Sequence, residues 1–422
     1  MTSLTFPTTK LATLHPTIRV GTATRDNSPS KHAGLIEKVL SDEYTLKAWK
    51  QAEKVLRRQD PPDLFPNFTF PGLGYYAWSD STFWTSGFFP GLVWALYERS
   101  LLRPLGIPSE QLLMAARKWQ VEMAKEQFKT DNHDLGFMIM PSFSRDYDLT
   151  GNRESLDVIS NAAKSLASRF SPETGAIRSW AGARTHEYHL EDPEVDFVVV
   201  IDSMMNLELL YYASKHTGNP KYAEIATTHA STTLANHIRS DYSSYHLVSY
   251  DSKNGNVRHR LTNQGYAHDS TWARGQAWAL YGFSTVYNFT KEDRFLDAAI
   301  QIADYFLSRV GDDGVVYWDF DAPRPGVWDV SAATCACSGL LLLQEIAPER
   351  CNYLGSVLRI LDTVTTCANS KGDSLLDRST ANDHVHALHR QAEHGIVYAD
   401  YYFIEAGNRL LKLKLSGEAV GF

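Results

Sequence analysis

Two aspartates stand in company that makes a carboxylate costly. Asp202 follows Val198-Val-Val-Ile201 and precedes Ser203-Met-Met205. Desolvation there raises a carboxyl pKa toward the range of a general acid, unless a helix N-terminus lowers it again. Asp is also a good helix N-cap, so capping is the plain alternative. Asp134 lies in His133-Asp-Leu-Gly136-Phe, where Gly136 permits close backbone approach or a positive φ; the plain alternative is a turn aspartate. Two carboxylates in one mouth would split their pKa values, one ionised and the other holding a proton. Farther along, Gln264-Gly-Tyr-Ala-His-Asp-Ser-Thr-Trp272-Ala-Arg274-Gly-Gln-Ala-Trp278 crowds an amide, a guanidinium and aromatics together, and His246 precedes it. Arg274 in such a box either braces the core through a buried carboxylate or binds a carboxylate-bearing ligand. Taken together, the groups suit a polar ring carrying negative charge.

The elements that must hold these groups read as helices. Helix starts rich in glycine and aromatics (82–98, 202–217, 270–290, 329–346, 397–412) alternate with amphipathic segments (111–127, 154–170, 220–238, 291–310, 353–367). The second set carries ordinary stripes, such as Ala298, Ala299, Ile302, Ala303, Phe306 and Leu307; the first set is apolar nearly all round, as in helices buried on both sides. Roughly a dozen helices without βαβ alternation predict an all-α fold, an (α/α)6 barrel. A further helix is expected over 37–58, a short inner segment over 133–141 and a strand candidate at 315–320. Residues 1–30, rich in Thr, Ser and Pro, read as an arm, and 31–422 as one barrel domain.

Composition narrows the function classes. A net charge of −8 argues against nucleic-acid binding, which wants a basic patch. With 10 Trp and 21 Tyr, the chain has rings enough for a carbohydrate cleft, although a large helical core uses them too. Four cysteines, all between 335 and 367, lack zinc-site spacing and read as buried thiols in a reducing compartment. Walker, Rossmann, Gly-x-Ser-x-Gly and His-Glu-x-x-His motifs are missing, so neither a cofactor nor a metal is expected. The first residues carry no apolar leader and no long apolar run follows, which predicts a cytoplasmic protein with no membrane partner; a monomer or homodimer is expected.

Phe83-Trp-Thr-Ser-Gly-Phe-Phe-Pro-Gly, His133-Asp-Leu-Gly-Phe-Met, Val200-Ile-Asp-Ser-Met-Met-Asn, Ser243-Ser-Tyr-His, Ser270-Thr-Trp-Ala-Arg-Gly-Gln-Ala-Trp and Ala399-Asp-Tyr-Tyr-Phe-Ile-Glu-Ala together resemble the unsaturated glucuronyl hydrolases of glycoside hydrolase family 88. The resemblance runs in order from about residue 35 to 413. It implies an enzyme that removes the 4,5-unsaturated uronic acid left by polysaccharide lyases at the non-reducing end of an oligosaccharide. The implied general acid/base is Asp202 and the second essential carboxylate Asp134. Ring-binding residues map onto His133, His246, Gln264, Trp272, Arg274 and Trp278, with Trp84 and Trp180 as walls. The C-terminal stretch departs from the expected Ser/Lys pattern: it reads Ser370-Lys-Gly-Asp-Ser-Leu, then a His-rich loop over 381–394. The rivals are an unsaturated rhamnogalacturonyl hydrolase, a non-catalytic sugar-binding toroid and a hexosamine-type epimerase on a similar barrel.

Overall fold

The computed structural model describes residues 29–416. Six helices form a closed inner ring in chain order: α3 (Phe88–Leu102), α5 (Leu135–Thr150), α7 (Ser203–Thr217), α9 (Ala273–Thr290), α11 (Val330–Ile346) and α13 (Val397–Ser416). Outside them lie α4 (Ser109–Gln120), α6 (Arg153–Ala167), α8 (Pro220–Asn236), α10 (Asp293–Arg309) and α12 (Leu354–Cys367), each packed on the inner helix before it. The outer position left over is filled by α1 (Pro29–Val39) and α2 (Asp42–Leu56), which touch α12, α13 and α3. This is the expected (α/α)6 barrel.

Side-chain chemistry separates the two rings. Every residue of α9 from Ala273 to Val286, and of α11 from Val330 to Leu343, is buried, so these helices contact protein on all sides. By contrast α10 buries one stripe, Phe295, Leu296, Ala298, Ala299, Ile302, Ala303 and Phe306. Because each inner helix is followed by an outer return, the inner N-termini gather at one mouth.

Several expectations need correction. The helix expected over 37–58 is two helices, because Ser41 accepts from the Glu43 N–H and caps a fresh start. The segment at 133–141 continues to Thr150 with Pro141 inside it. Gly91 faces Pro141, and a Cβ there would sit 2.3 Å from the proline ring, so α3 and α5 cross closely at this point. The 315–320 stretch makes only isolated bridges, Tyr317 with Trp328 and Asp319 with Trp272. Residues 1–28 of the expected arm lie outside the described residues, and positions 29 and 30 begin α1. Cys335, Cys337 and Cys351 are buried free thiols, whereas Cys367 is exposed. Among the described residues no helix is long and apolar enough to cross a membrane.

Across the barrel axis an aromatic layer closes the middle. Trp84 packs on Phe137 and Tyr398, Phe88 on Phe137 and Tyr402, and Trp278 on Phe137 and Tyr402, at centroid distances of 5.1–5.8 Å. On the far side lies a cavity of about 200 Å³ lined by Glu98, Arg145, Glu208, Tyr401, Glu405 and Arg409 among others. There Arg145 bridges Glu98 at 3.2 Å and Glu405 at 3.0 Å.

Candidate active site

A small sheet explains how residues distant in sequence meet at the mouth. The apolar run before Asp202 is a strand, β1 (Asp196–Val200), which pairs antiparallel with β2 (Leu247–Asp251), Val200 opposite Leu247. Strand β2 pairs in turn with β3 (Val257–Leu261), Leu247 opposite Leu261. The next residue out from each of these ends therefore belongs to the mouth. Ile201 N–H donates to the His246 carbonyl at 2.9 Å, and Asn263 N–H donates to His246 Nδ1 at 3.0 Å. Asp202, His246 and the loop carrying Gln264 are thus adjacent by register.

Asp202 occupies the N-cap position of α7 without capping it with its side chain. Its Oδ1 is buried and has no hydrogen-bond partner, and His246 Nε2 lies 3.7 Å away, also unpartnered. Asp134 holds the same position on α5, again without a side-chain cap. His133 Nε2 stands 3.4 Å from Asp134 Oδ1. Asn206, one turn into α7, accepts the Phe137 N–H at 2.9 Å and so ties the start of α5 to α7. Gly136 makes that approach possible: a Cβ there would come within 2.6 Å of the Asn206 backbone. The glycine serves close approach, its φ lying outside the left-handed region.

The electrostatics follow from burial. Desolvation raises the Asp134 carboxyl to about 8, the neighbouring Asp202 charge adds to the rise, and Arg169 and Lys129 oppose it. Desolvation also raises Asp202, to about 6, with Arg274, its own main-chain N–H and then Trp278 pulling it back. Trp278 Nε1 completes no hydrogen bond among the described residues, yet stands close enough to lower the carboxyl pKa. Because the two acids interact, they titrate as a pair. Near neutral pH the pair retains about one proton, held mainly by Asp134. His246 is pushed down to about 3 and His133 well below its ordinary range, both by burial, so both imidazoles are neutral.

Arg274 braces the wall. Its Nη1 donates to Asp329 Oδ2 at 2.6 Å, Ser331 Oγ at 3.2 Å and the Thr380 carbonyl at 2.7 Å, and Nη2 donates to the Ala381 carbonyl at 2.7 Å. Its guanidinium also lies over the Trp272 ring at 4.5 Å. Of its five donors, Nε–H and one Nη2–H have no protein acceptor among the described residues.

The remaining expected residues divide by exposure. Trp272 and Trp278 are buried, with Trp272 against His246 at 4.6 Å. Trp84, Trp180 and Gln264 are half-buried; Gln264 is bonded through its main-chain carbonyl, which accepts from Trp318 Nε1 at 2.8 Å, and its side-chain amide has no partner among the described residues. Trp180 sits edge-on to both His133 and His246, at 6.3 and 6.2 Å, and so spans the two carboxylate–histidine pairs. These contacts join nine of the ten expected residues, whereas Gln264 is placed only by its loop, next to Asn263. Sequence reasoning missed Asn206, Tyr398, Ser179 and Ser203. Tyr398 is a buried ring against Trp84 and beneath the Arg274 guanidinium. None of the four carries a signal that separates it from ordinary core.

Comparisons with known proteins give the family. The family model for Glycosyl Hydrolase Family 88 matches residues 84–303. An unsaturated glucuronyl hydrolase of Formosa agariphila is 36% identical over 350 residues, 79% of this chain and 81% of the relative. An unsaturated chondroitin disaccharide hydrolase of Streptococcus pneumoniae is 30% identical, over 80% of this chain and 84% of the relative. Among solved structures, an unsaturated glucuronyl hydrolase specific for heparin superposes with a TM-score of 0.77 at 33% identity, covering 90% of this chain and 98% of the other. With the model spanning more than half of the sequence and these relatives most of it, the chain belongs to glycosyl hydrolase family 88.

Proposed function

We propose that this glycosidase removes a 4,5-unsaturated uronic acid from the non-reducing end of an oligosaccharide by hydrating its enol ether. The observation that carries the reading is the paired carboxylates at one mouth, both raised by burial, with Asp202 near 6 and Asp134 near 8. Four buried polar atoms, Asp202 Oδ1, His246 Nε2, Trp272 Nε1 and Trp278 Nε1, lack partners there. Each such group costs about 1–3 kcal/mol to bury alone, a cost that a polar ligand offsets.

The proton shared by the pair, when carried by Asp202, is delivered to C4, and the Asp202 carboxylate then accepts a proton from the water whose oxygen bonds to C5. The C5 hemiketal so formed opens its ring and releases the remaining sugar with its own hydroxyl. One group serves as acid and then as base, which suits a pKa close to the working pH. Asp134 holds the shared proton in the resting pair and yields it to Asp202 for the reaction, keeping the charge of the pair low between turnovers. The spare Nε–H and Nη2–H of Arg274 and the free amide of Gln264 supply donors for the uronate carboxylate. Trp84 and Trp180 flank the ring, and residues 31–422 act as one catalytic unit. The aglycone meets the loop over 381–394, which differs from the expected Ser/Lys pattern, and that loop selects among heparin-, chondroitin- and other lyase-derived fragments.

The test is loss of enol-ether absorbance when the protein meets a panel of unsaturated disaccharides. A hydrolase bleaches the chromophore, whereas a sugar-binding toroid or an epimerase leaves it intact. Retained bleaching by a folded Asp202→Asn variant would sink the mechanism. Bleaching confined to rhamnogalacturonyl disaccharides would reassign the substrate.

A further inference from the structure

We propose that Ser179, Ser203 and His133 form a one-way hydrogen-bond relay that presents a neutral imidazole N–H to Asp134, which makes the two serines positioning residues for the reaction. The proposal rests on the reading above that Asp134 works in the site. All three side chains are buried, with exposures of 0–2%.

Hydrogen-bond accounting sets the direction. Val200 N–H donates to Ser179 Oγ at 2.9 Å, so that oxygen already accepts a bond. Ser179 Oγ lies 2.7 Å from Ser203 Oγ, the one acceptor within reach of its hydroxyl proton among the described residues. Ser203 Oγ, accepting from Ser179, then has only His133 Nδ1, at 2.9 Å, to receive its own proton. Nδ1 is therefore an acceptor and the ring proton resides on Nε2. A neutral imidazole has one donor and one acceptor nitrogen, so fixing one end fixes the other. Run backwards, the chain leaves the Ser179 proton buried without an acceptor, a cost that buried hydroxyls rarely carry.

Nε2–H faces Asp134 Oδ1 at 3.4 Å, a contact that a small ring rotation converts into a hydrogen bond once the mouth is occupied. With a donor against Oδ1, the proton retained by Asp134 belongs on Oδ2. The charged and titratable groups around this pair are Asp202, Arg169, Lys129, Asp131, His229 and His246. His246 offers the matching case: its Nδ1 accepts from the Asn263 main-chain N–H, so its Nε2–H faces Asp202. Each carboxylate thus meets an imidazole N–H. For Asp202 the main chain locks it, and for Asp134 two hydroxyls do.

The experiment uses the full chain labelled with 15N-histidine, His133 being assigned by the resonance that disappears in His133→Gln. The native protein should show His133 protonated on Nε2, with Nδ1 shifted as a hydrogen-bonded acceptor. In Ser203→Ala, Nδ1 should move toward the shift of a bare acceptor, and kcat should fall about tenfold at unchanged KM, as for loss of one buried hydrogen bond to the machinery. Ser179→Ala, farther from the histidine, should change both in the same direction by less, and it carries the test if Ser203→Ala does not fold. Protonation of native His133 on Nδ1, or an unchanged kcat in the folded serine variants, would overturn the relay. If the native enzyme leaves every enol-ether chromophore intact, the functional reading fails, while the nitrogen shifts still decide the relay.

Discussion

Asp202→Asn should make the protein more stable at neutral pH while abolishing turnover. The carboxyl is raised from its ordinary 3.8 to about 6 by burial, which means the folded protein binds its proton more tightly than the unfolded chain does. For a carboxyl raised in this way, rising pH deprotonates the unfolded state first, so stability falls between 3.8 and about 6 and stays lowered above that range. At about 1.36 kcal/mol per pH unit, the gap is worth about 3 kcal/mol at pH 7 and well under about 1 kcal/mol at pH 4. Asparagine is nearly isosteric, and Oδ1 makes no hydrogen bond that the change would break. With an unfolding entropy of about 2.1 cal/mol/K per residue, about 3 kcal/mol raises the melting temperature of a chain this long by about 3–4 °C. Thermal melts of both proteins at pH 4 and pH 7 provide the assay. The variant should melt higher at pH 7 and nearly together with the native protein at pH 4. Equal gains at both pH values, or a lower melting point at pH 7, would refute the argument that burial of this charge is the source of its raised pKa.

Other expectations follow from the same geometry. Asp134→Asn should lower kcat by at least about a hundredfold, the scale of a lost acid–base group, as read from bleaching rates; a change confined to KM would make Asp134 a binding residue. Gln264→Ala should raise KM severalfold without affecting the melting point, since its amide has no protein partner among the described residues. Arg274→Ala, by contrast, strands buried Asp329 and should cost about 3–5 kcal/mol of stability in denaturant unfolding. Gly136→Ala should destabilise by about 1–3 kcal/mol and depress kcat, because the new methyl pushes α5 off α7 and separates the two carboxylates.

Much of this site was legible because expensive residues advertise themselves. A carboxylate after four β-branched residues, and an arginine between tryptophans, are hard to place in an ordinary core, and both stand at the start of inner helices. The alternation of helices buried all round with striped ones was visible for the same reason, since periodicity records burial directly. What stayed hidden was pairing. That Asp196–Val200 is a strand, and that its register brings His246 beside Asp202, depends on partners about fifty residues away. The two readings of Arg274, brace or ligand contact, were left open by sequence because its partner Asp329 arrives from the start of another helix. Ser179 and Ser203 are too common in type for any pattern to single them out.

The aromatic layer has a bearing on traffic. Rings from α3, α5, α9 and α13, with Trp84, meet across the axis, which makes the mouth a blind well rather than a tunnel. A blind well accepts a polymer only by its tip, so internal residues of a long chain never reach the carboxylates. Under the proposed reaction, both products leave by that one door, and the uronate, bound deeper than the sugar it was cut from, leaves last.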